Sequence, residues 1–395
     1  MLRFTTAGES HGQALMCILE GIPAGLALGA SDIDAELKRR QLGYGRGRRM
    51  KIESDAVEFL SGVRAGETIG SPIGMLIRNA DWKNWEEIMD SAPRDGDPAR
   101  KRTVTRPRPG HADLSGMLKY DRSDARDVLE RASARETTAR TAAGAVCRKF
   151  LGEFGITFGS HVVQLGGVDA KRPRVMPADI NSAVDMSPVR TLDSEAEAEM
   201  IRRIDAAKAA GDTLGGTCEV VCYGAPVGLG SHISWKRKLD GRLARALMSI
   251  HAAKGVEFGL GFEGARLRGS EAHDEIDAAS DRTVGGGVKR RTNRAGGLEG
   301  GITNGEPIVA KVAMKPISTL MSPLATIEMT TRQSASAVAE RSDVTAVPAM
   351  GVIAEAMMAF VIADAFMEKF GGDSMTETKR NYDGYIDYLA KRRDR

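Results

Sequence analysis

Aromatic residues are scarce in this chain, 5% of 395 residues, and so are cysteines and histidines, four and six respectively. The cysteines (Cys17, Cys147, Cys218, Cys222) stand mostly in apolar surroundings. Cys218 and Cys222 have neither a second pair nor a nearby histidine, so no zinc site is expected. Nothing calls for disulfides, which fits a reduced, cytoplasmic protein. Charge of one sign is also lacking: 56 basic against 53 acidic residues leave a net +3. That balance argues against a general nucleic-acid or membrane binder. The N-terminus has no apolar signal core. No uninterrupted apolar run approaches the ~18 residues that cross a bilayer; the longest candidate, Ala349 to Phe366, is broken by Gly351, Glu355 and Asp364. A soluble protein is expected. A G-x-G-x-x-G dinucleotide fingerprint is missing, as are fixed-period repeats and low-complexity tracts.

Glycine is plentiful, with 45 residues, and it frames two of the six histidines. His11 lies in Gly8-Glu9-Ser10-His11-Gly12, and His111 in Arg106-Pro107-Arg108-Pro109-Gly110-His111-Ala112-Asp113. Glycine lets backbone turn sharply and approach a ligand closely. Imidazole exchanges protons near neutrality. Two such loops, with arginines in or near them, point to proton transfer beside an anionic substrate.

Residues Lys38 to Lys51 carry seven cations and no acid, spaced by Gly43, Gly45 and Gly47. A solvated charge run, an RNA-binding Arg/Gly patch and a small-anion site all fit this composition. Only Tyr44 is interleaved there for stacking on bases. The His111 loop reads equally as a surface turn, and His111 with Asp113 has no third metal ligand nearby.

Hydrophobic patterning predicts strands at Leu2–Thr6, Ala14–Leu19, Val57–Val63 and Ile73–Ile77. It predicts a serine-capped helix from Ser31 and a long helix from Asp124 to Phe154 rich in small residues. Arg131 and Arg135 would then share a helix face. Further helices are expected over Asp193–Ala210, from Asp240 to a stop at Gly255, and over Ala349–Phe370. A glycine-rich loop spans Asn293 to Gly305. Helices and strands mix without regular alternation, which favours α+β.

Taken together, several segments resemble the chorismate synthase family. Gly8 to Gly12 with Glu20-Gly21-Ile22-Pro23, Glu130 to Thr137, and Arg341-Ser342-Asp343-Val344 with Ala346 to Ala349 look like its three signatures. Gly43 to Gly47, Arg106 to Asp113, Met248 to Glu257 and Lys315 to Thr319 also fit, in order. The resemblance implies conversion of 5-enolpyruvylshikimate 3-phosphate to chorismate and phosphate by 1,4-anti elimination, with reduced FMN and no net oxidation. It implies a single α+β domain over residues 1–395, with helices packed between antiparallel sheets, a polar tail from about residue 383, and a homotetramer. By the same resemblance His11 protonates the leaving phosphate, His111 protonates reduced flavin, and Asp343 helps remove the substrate hydrogen. Ser10, Arg40, Arg46, Arg49, Arg135 and Arg341 would bind substrate. Flavin would meet Arg131, Ala132, Ser133, His251, Ala252, Gly300, Lys315, Pro316, Ile317, Ser318, Thr319 and Arg341. Arg40 and Arg46 also match the family's NADP positions. With no separate reductase segment, external reduction of the flavin is expected over use of NADPH by the chain itself. Two departures stand out: His251 where members often have Asn or Gln, and Leu260 where many carry aspartate.

Overall fold

The computed structural model describes residues 2–47, 54–92, 102–279, 287–339 and 342–391. The strands of the two main sheets are β1 (Arg3–Ala7), β2 (Ala14–Glu20), β3 (Val57–Ser61), β4 (Ile73–Arg78), β5 (Thr157–Leu165), β6 (Val168–Asp169), β7 (Gly216–Tyr223), β8 (Ala253–Phe258) and β9 (Ile308–Met314). The helices that matter here are α1 (Ala30–Gln41), α2 (Asp113–Tyr120), α3 (Arg126–Ala132), α4 (Thr137–Gly152), α5 (Ser194–Ala210), α6 (Leu239–Met248), α7 (Val347–Phe370) and α8 (Met375–Lys391).

One sheet runs β1-β2-β4-β3 and the other β8-β9-β7-β5-β6, both fully antiparallel. Strict alternation in β2 turns Leu15, Cys17 and Leu19 inward and leaves Met16 and Ile18 on the outer face. Register pairs those inward residues with Ile77, Met75 and Ile73. Helices α1, α4 and α7 fill the space between the sheets. The expected α+β sandwich is therefore what forms.

Small residues set the spacing of the helical layer. A Cβ on Gly144 of α4 would stand 2.3 Å from the Ala356 Cβ of α7, and one on Gly351 would meet the Ser160 Oγ of β5 at 2.7 Å. Helix α7 is long and apolar enough to cross a membrane, with mean hydropathy 1.8, yet most of it is enclosed by neighbouring elements. A helix apolar on all sides requires such enclosure.

Several local expectations are corrected. The helix expected from Asp124 to Phe154 breaks at Ser133, whose backbone is extended (φ −66°, ψ 143°), and a 3₁₀ turn over Ala134–Glu136 leads into α4. The cap of α1 is Gly29 rather than Ser31, and α6 starts at Leu239 after Lys238. That helix ends at Met248, and Gly255 lies within β8. Residues 383–391, read as part of a polar tail, continue α8. Asp193 and Gly211 do bound α5: the Asp193 carboxylate accepts from two backbone N–H groups, and Gly211 takes φ +70°.

The α4–α7 contact yields a first prediction. Gly144→Val should lower stability by about 1–3 kcal/mol, the usual cost of overpacking, read as a reduced urea midpoint. An unchanged midpoint would mean that the two helices separate without penalty.

Candidate active site

The β1–β2 turn carries His11. Gly8 adopts φ +101°, and any Cβ there would meet the Ala14 carbonyl oxygen at 2.3 Å, so only glycine fits. The turn is fastened to α3. Ser10 N–H donates to the Glu130 carbonyl at 2.9 Å. His11 N–H donates to Glu130 Oε2 at 3.0 Å, and His11 Nδ1 lies 2.8 Å from the same oxygen. Trp85 stacks on the His11 ring with centroids 3.9 Å apart. Burial alone would raise the Glu130 carboxyl, but His11 and Arg126 outweigh it and hold it below its ordinary range.

The second histidine is built alike. His111 Nδ1 lies 2.5 Å from Asp113 Oδ1. Arg108 clasps Asp113 through Nε at 2.8 Å and Nη2 at 3.1 Å, and its Nη1 donates to Thr319 Oγ1 at 2.8 Å. Burial works against the Asp113 carboxylate, yet bonds from His111 and Arg108 hold it well below the usual range. A carboxylate on Nδ1 of a neutral ring makes Nε2 the proton acceptor. Lys315 ties the loop further by donating to the Gly110 carbonyl.

Three guanidiniums and two carboxylates form the next cluster. Arg135 pairs with Asp55 at 2.6 Å and donates to Asn79 Oδ1 at 3.0 Å. Arg46 pairs with Asp343 at 2.9 Å, and Gly47 N–H donates to Asp343 Oδ1 at 2.6 Å. Arg40 donates to Thr137 Oγ1 and the Ala134 carbonyl, while its Nη1 has no hydrogen-bond partner among the described residues. Burial, then the like charges of Arg46 and Arg135, pull Arg40 down to about 9 against the attraction of Asp55 and Asp343. It stays cationic at neutral pH. Among the described residues of this cluster cations outnumber carboxylates, which favours an anion.

Both histidines, the three guanidiniums and Asp343 border one cavity of about 1110 Å³. Its walls bring together Ser10, His11, Arg40, Arg46, His111, Arg135 and Asp343. Ala132, Ser133, His251, Ala252 and Lys315 to Thr319 line it as well. Arg131 does not; the break at Ser133 separates it from Arg135, and it reaches instead to Thr6 and to the Gly8 carbonyl. Gly300 sits in the hairpin turn between Glu299 and Ile302, away from the lining. Arg49 and Arg341 lie outside the described residues. The cavity takes in Arg108 from the His111 loop, and also Asp81, Asn84, Trp85, Arg102, Arg126 and Leu129, to which sequence reasoning gave no role in the site. Only their position in space marks them; no pattern in the chain does.

His251 is the departure noted above. Burial, followed by the cations Arg140, Arg131 and Arg40, pushes it down to about 4 despite Glu136 at 3.8 Å. It is neutral at physiological pH.

Residues 2–367 match the family model described as chorismate synthase. The chain belongs to the chorismate synthase family. A curated chorismate synthase from Geobacter metallireducens is 57% identical over 98% of this chain and 99% of its own length. One from Symbiobacterium thermophilum is 55% identical over 99% and 100%. A crystal structure of chorismate synthase superimposes with TM-score 0.79 at 44% identity, covering 99% of this chain and 98% of that one. The chain is accordingly a lyase of the shikimate pathway, which leads to aromatic amino acids.

The His251 environment gives a pH prediction. Its folded value lies below that of a free imidazole, so the unfolded chain takes up a proton first as pH falls from about 6.5 to about 4. Stability is lost through that window. His251→Asn should remove this loss, gaining on the order of 1–2 kcal/mol over the parent at pH 5 relative to pH 7. Urea titrations at the two pH values read it; parallel losses in both proteins would refute it.

Proposed function

We propose that this chain converts 5-enolpyruvylshikimate 3-phosphate into chorismate and phosphate by 1,4-anti elimination, with reduced FMN bound beside the substrate. The observation that carries the reading is the convergence of both carboxylate-paired histidines and the surplus of guanidinium charge on one cavity. Family membership supports it independently. The fit to a flavin is good on size and on surface. The cavity is slightly larger than the ~300–1,000 Å³ typical for a small-molecule cleft, leaving room for two ligands side by side. Ala132, Ser133, Ala252 and the Lys315–Thr319 segment offer a wall of mostly small side chains for a flat ring, and these, with His251, would hold it. When bound, reduced FMN supplies electron density that supports departure of the phosphate, with no net oxidation.

The protein groups do the rest. Arg40, Arg46 and Arg135 pair with the phosphate and carboxylates of the substrate, and Ser10 adds a hydroxyl beside them. Arg40 Nη1, buried without a hydrogen-bond partner among the described residues, would gain one from a substrate oxygen. His11 delivers a proton from Nε2 to the departing phosphate, which leaves more readily as a weaker base. His111 holds the proton required on the flavin side, its ring fixed by Asp113. Asp343 helps remove the ring hydrogen once Arg46 turns to the substrate. Arg49 and Arg341 complete anion binding, while Arg131 and Gly300 keep their flavin assignment by resemblance alone. We further take the enzyme to be a cytoplasmic homotetramer supplied with reduced flavin by an external reductase; Arg40 and Arg46 are the residues that NADPH would meet if the chain reduced its own flavin.

Anaerobic phosphate release, with and without dithionite-reduced FMN, tests the reading. Release should require the flavin; equal turnover without it would overturn the proposal. His11→Ala and His111→Ala should each lower turnover by roughly 10²–10⁴-fold with circular dichroism unchanged. Activity within a few-fold of the parent would return both histidines to a structural role.

A further inference from the structure

His11 is constrained from two directions at once. In the ring plane, both Glu130 oxygens approach Nδ1, at 2.8 and 3.1 Å, and Oε2 also takes the His11 backbone N–H. Across the ring face, Trp85 stacks at 3.9 Å with an interplanar angle of 26°. Both constraining groups are themselves held. Arg126 Nη1 donates to Glu130 Oε1 at 2.7 Å from one helical turn away, and the Glu130 side chain is almost wholly buried. Trp85 Nε1 donates to Asp81 Oδ2 at 3.0 Å, and the Arg102 guanidinium lies 4.4 Å from its ring centroid. A ring held along its edge and across its face has little freedom to flip.

We propose that Glu130, with Trp85 as the clamp on the ring plane, is the positioning residue that keeps His11 protonated at Nδ1 and so makes Nε2 the only site of proton exchange with substrate. The inference rests on the donor role proposed above for His11. The logic is chemical. An imidazole that gives its proton away must end as one of two neutral tautomers. Glu130 accepts only from Nδ1–H, so the tautomer with its lone pair on Nε2 is the one favoured after transfer. Arg126 prevents the reverse transfer: by pairing with Glu130 it keeps that carboxylate ionised, so the proton stays on the imidazole. Trp85 decides which way Nε2 points.

The unaltered protein gives the first test. With ¹⁵N-labelled histidine, the His11 signals (assigned by their loss in His11→Gln) should show the Nδ1–H tautomer in the neutral form. Finding the Nε2–H tautomer would overturn the proposal, and this readout needs no variant to fold. Glu130→Gln gives the second. Its amide can donate to Nδ1 as well as accept from it, so the neutral His11 ring should show both tautomers. Turnover should fall roughly 10-fold or more with KM changed little and circular dichroism unchanged. An unchanged tautomer would overturn the proposal. If the tautomers mix while turnover holds, the pairing stands and the donor role of His11 falls. Trp85→Leu should raise the KM little and cut kcat while the Nδ1–H tautomer is kept; a changed tautomer would refute the division of labour between clamp and carboxylate.

Discussion

One buried carboxylate holds the layers in register. Glu355 stands in the middle of α7, the most apolar helix of the chain, and has no solvent exposure. Arg39 of α1 grips it with two parallel bonds of 3.1 Å, Arg148 of α4 pairs with it, and Ser160 of β5 donates to it at 2.6 Å. Asn181 and Arg190 close the remaining side. Burial would raise its affinity for a proton, but the charges of Arg39, Arg148 and Arg190 keep it at about 2. An apolar stripe alone lets a helix slide or rotate at little cost, since one methyl-lined position resembles the next. A buried ion with partners on several elements tolerates no such shift, because each partner left behind becomes an unpaired buried charge. Net stability is a lesser consequence than position.

Position is what the cavity needs. Arg39 and Arg40 are neighbours on α1, yet one turns to Glu355 and the other to the cavity. Fixing the first fixes the second. The same economy recurs at Asn79, which takes Arg135 Nε on its oxygen and gives its amide to the Gly12 and Glu9 carbonyls of the His11 turn. Arg135 and the His11 turn are thus held by one group that serves both. Charges arranged before substrate arrives need little reorganisation when it does, which is where preorganised electrostatics gain their advantage over water.

How much of this the chain disclosed depends on whether the cause was local. The two histidine loops were legible because glycine at Gly8 and Gly110 answers a backbone demand, φ +101° and +78°, that shows in the sequence. Asp193 and Gly211 were legible for the same reason: caps act within one turn. The break at Ser133 was not. Nothing in Ala132-Ser133-Ala134 forbids a helix; the extended residue is sustained by Ser133 Oγ, which accepts from Arg135 N–H and donates to Ser10 Oγ across the fold. That distant contact separates Arg131 from Arg135 and sends only the latter into the cavity. Trp85 was invisible for a similar reason, since its importance lies in the ring it covers, 74 positions earlier. The helix over Ala349–Phe370 was legible, but the role of Glu355 within it was not, because its partners come from α1, α4, β5, Asn181 and Arg190.

The cavity is assembled from the ends of elements rather than from their middles. His11 comes from the β1–β2 turn, Arg40 from the last turn of α1, Ser133 to Arg135 from the break before α4, and His251 with Ala252 from the bend between α6 and β8. The Lys315–Thr319 segment leaves β9, and Asp343 precedes α7. Ends are where regular hydrogen bonding stops and side chains can converge from several directions. They are also where a rigid framework matters most, since an end has no ladder of its own to hold it. The helical layer, spaced by Gly144 and Gly351 and pinned by Glu355, supplies that rigidity from behind. Each signature of the chain is therefore weak when read alone: it records one end of one element, and only the packed layers make six such ends into a site.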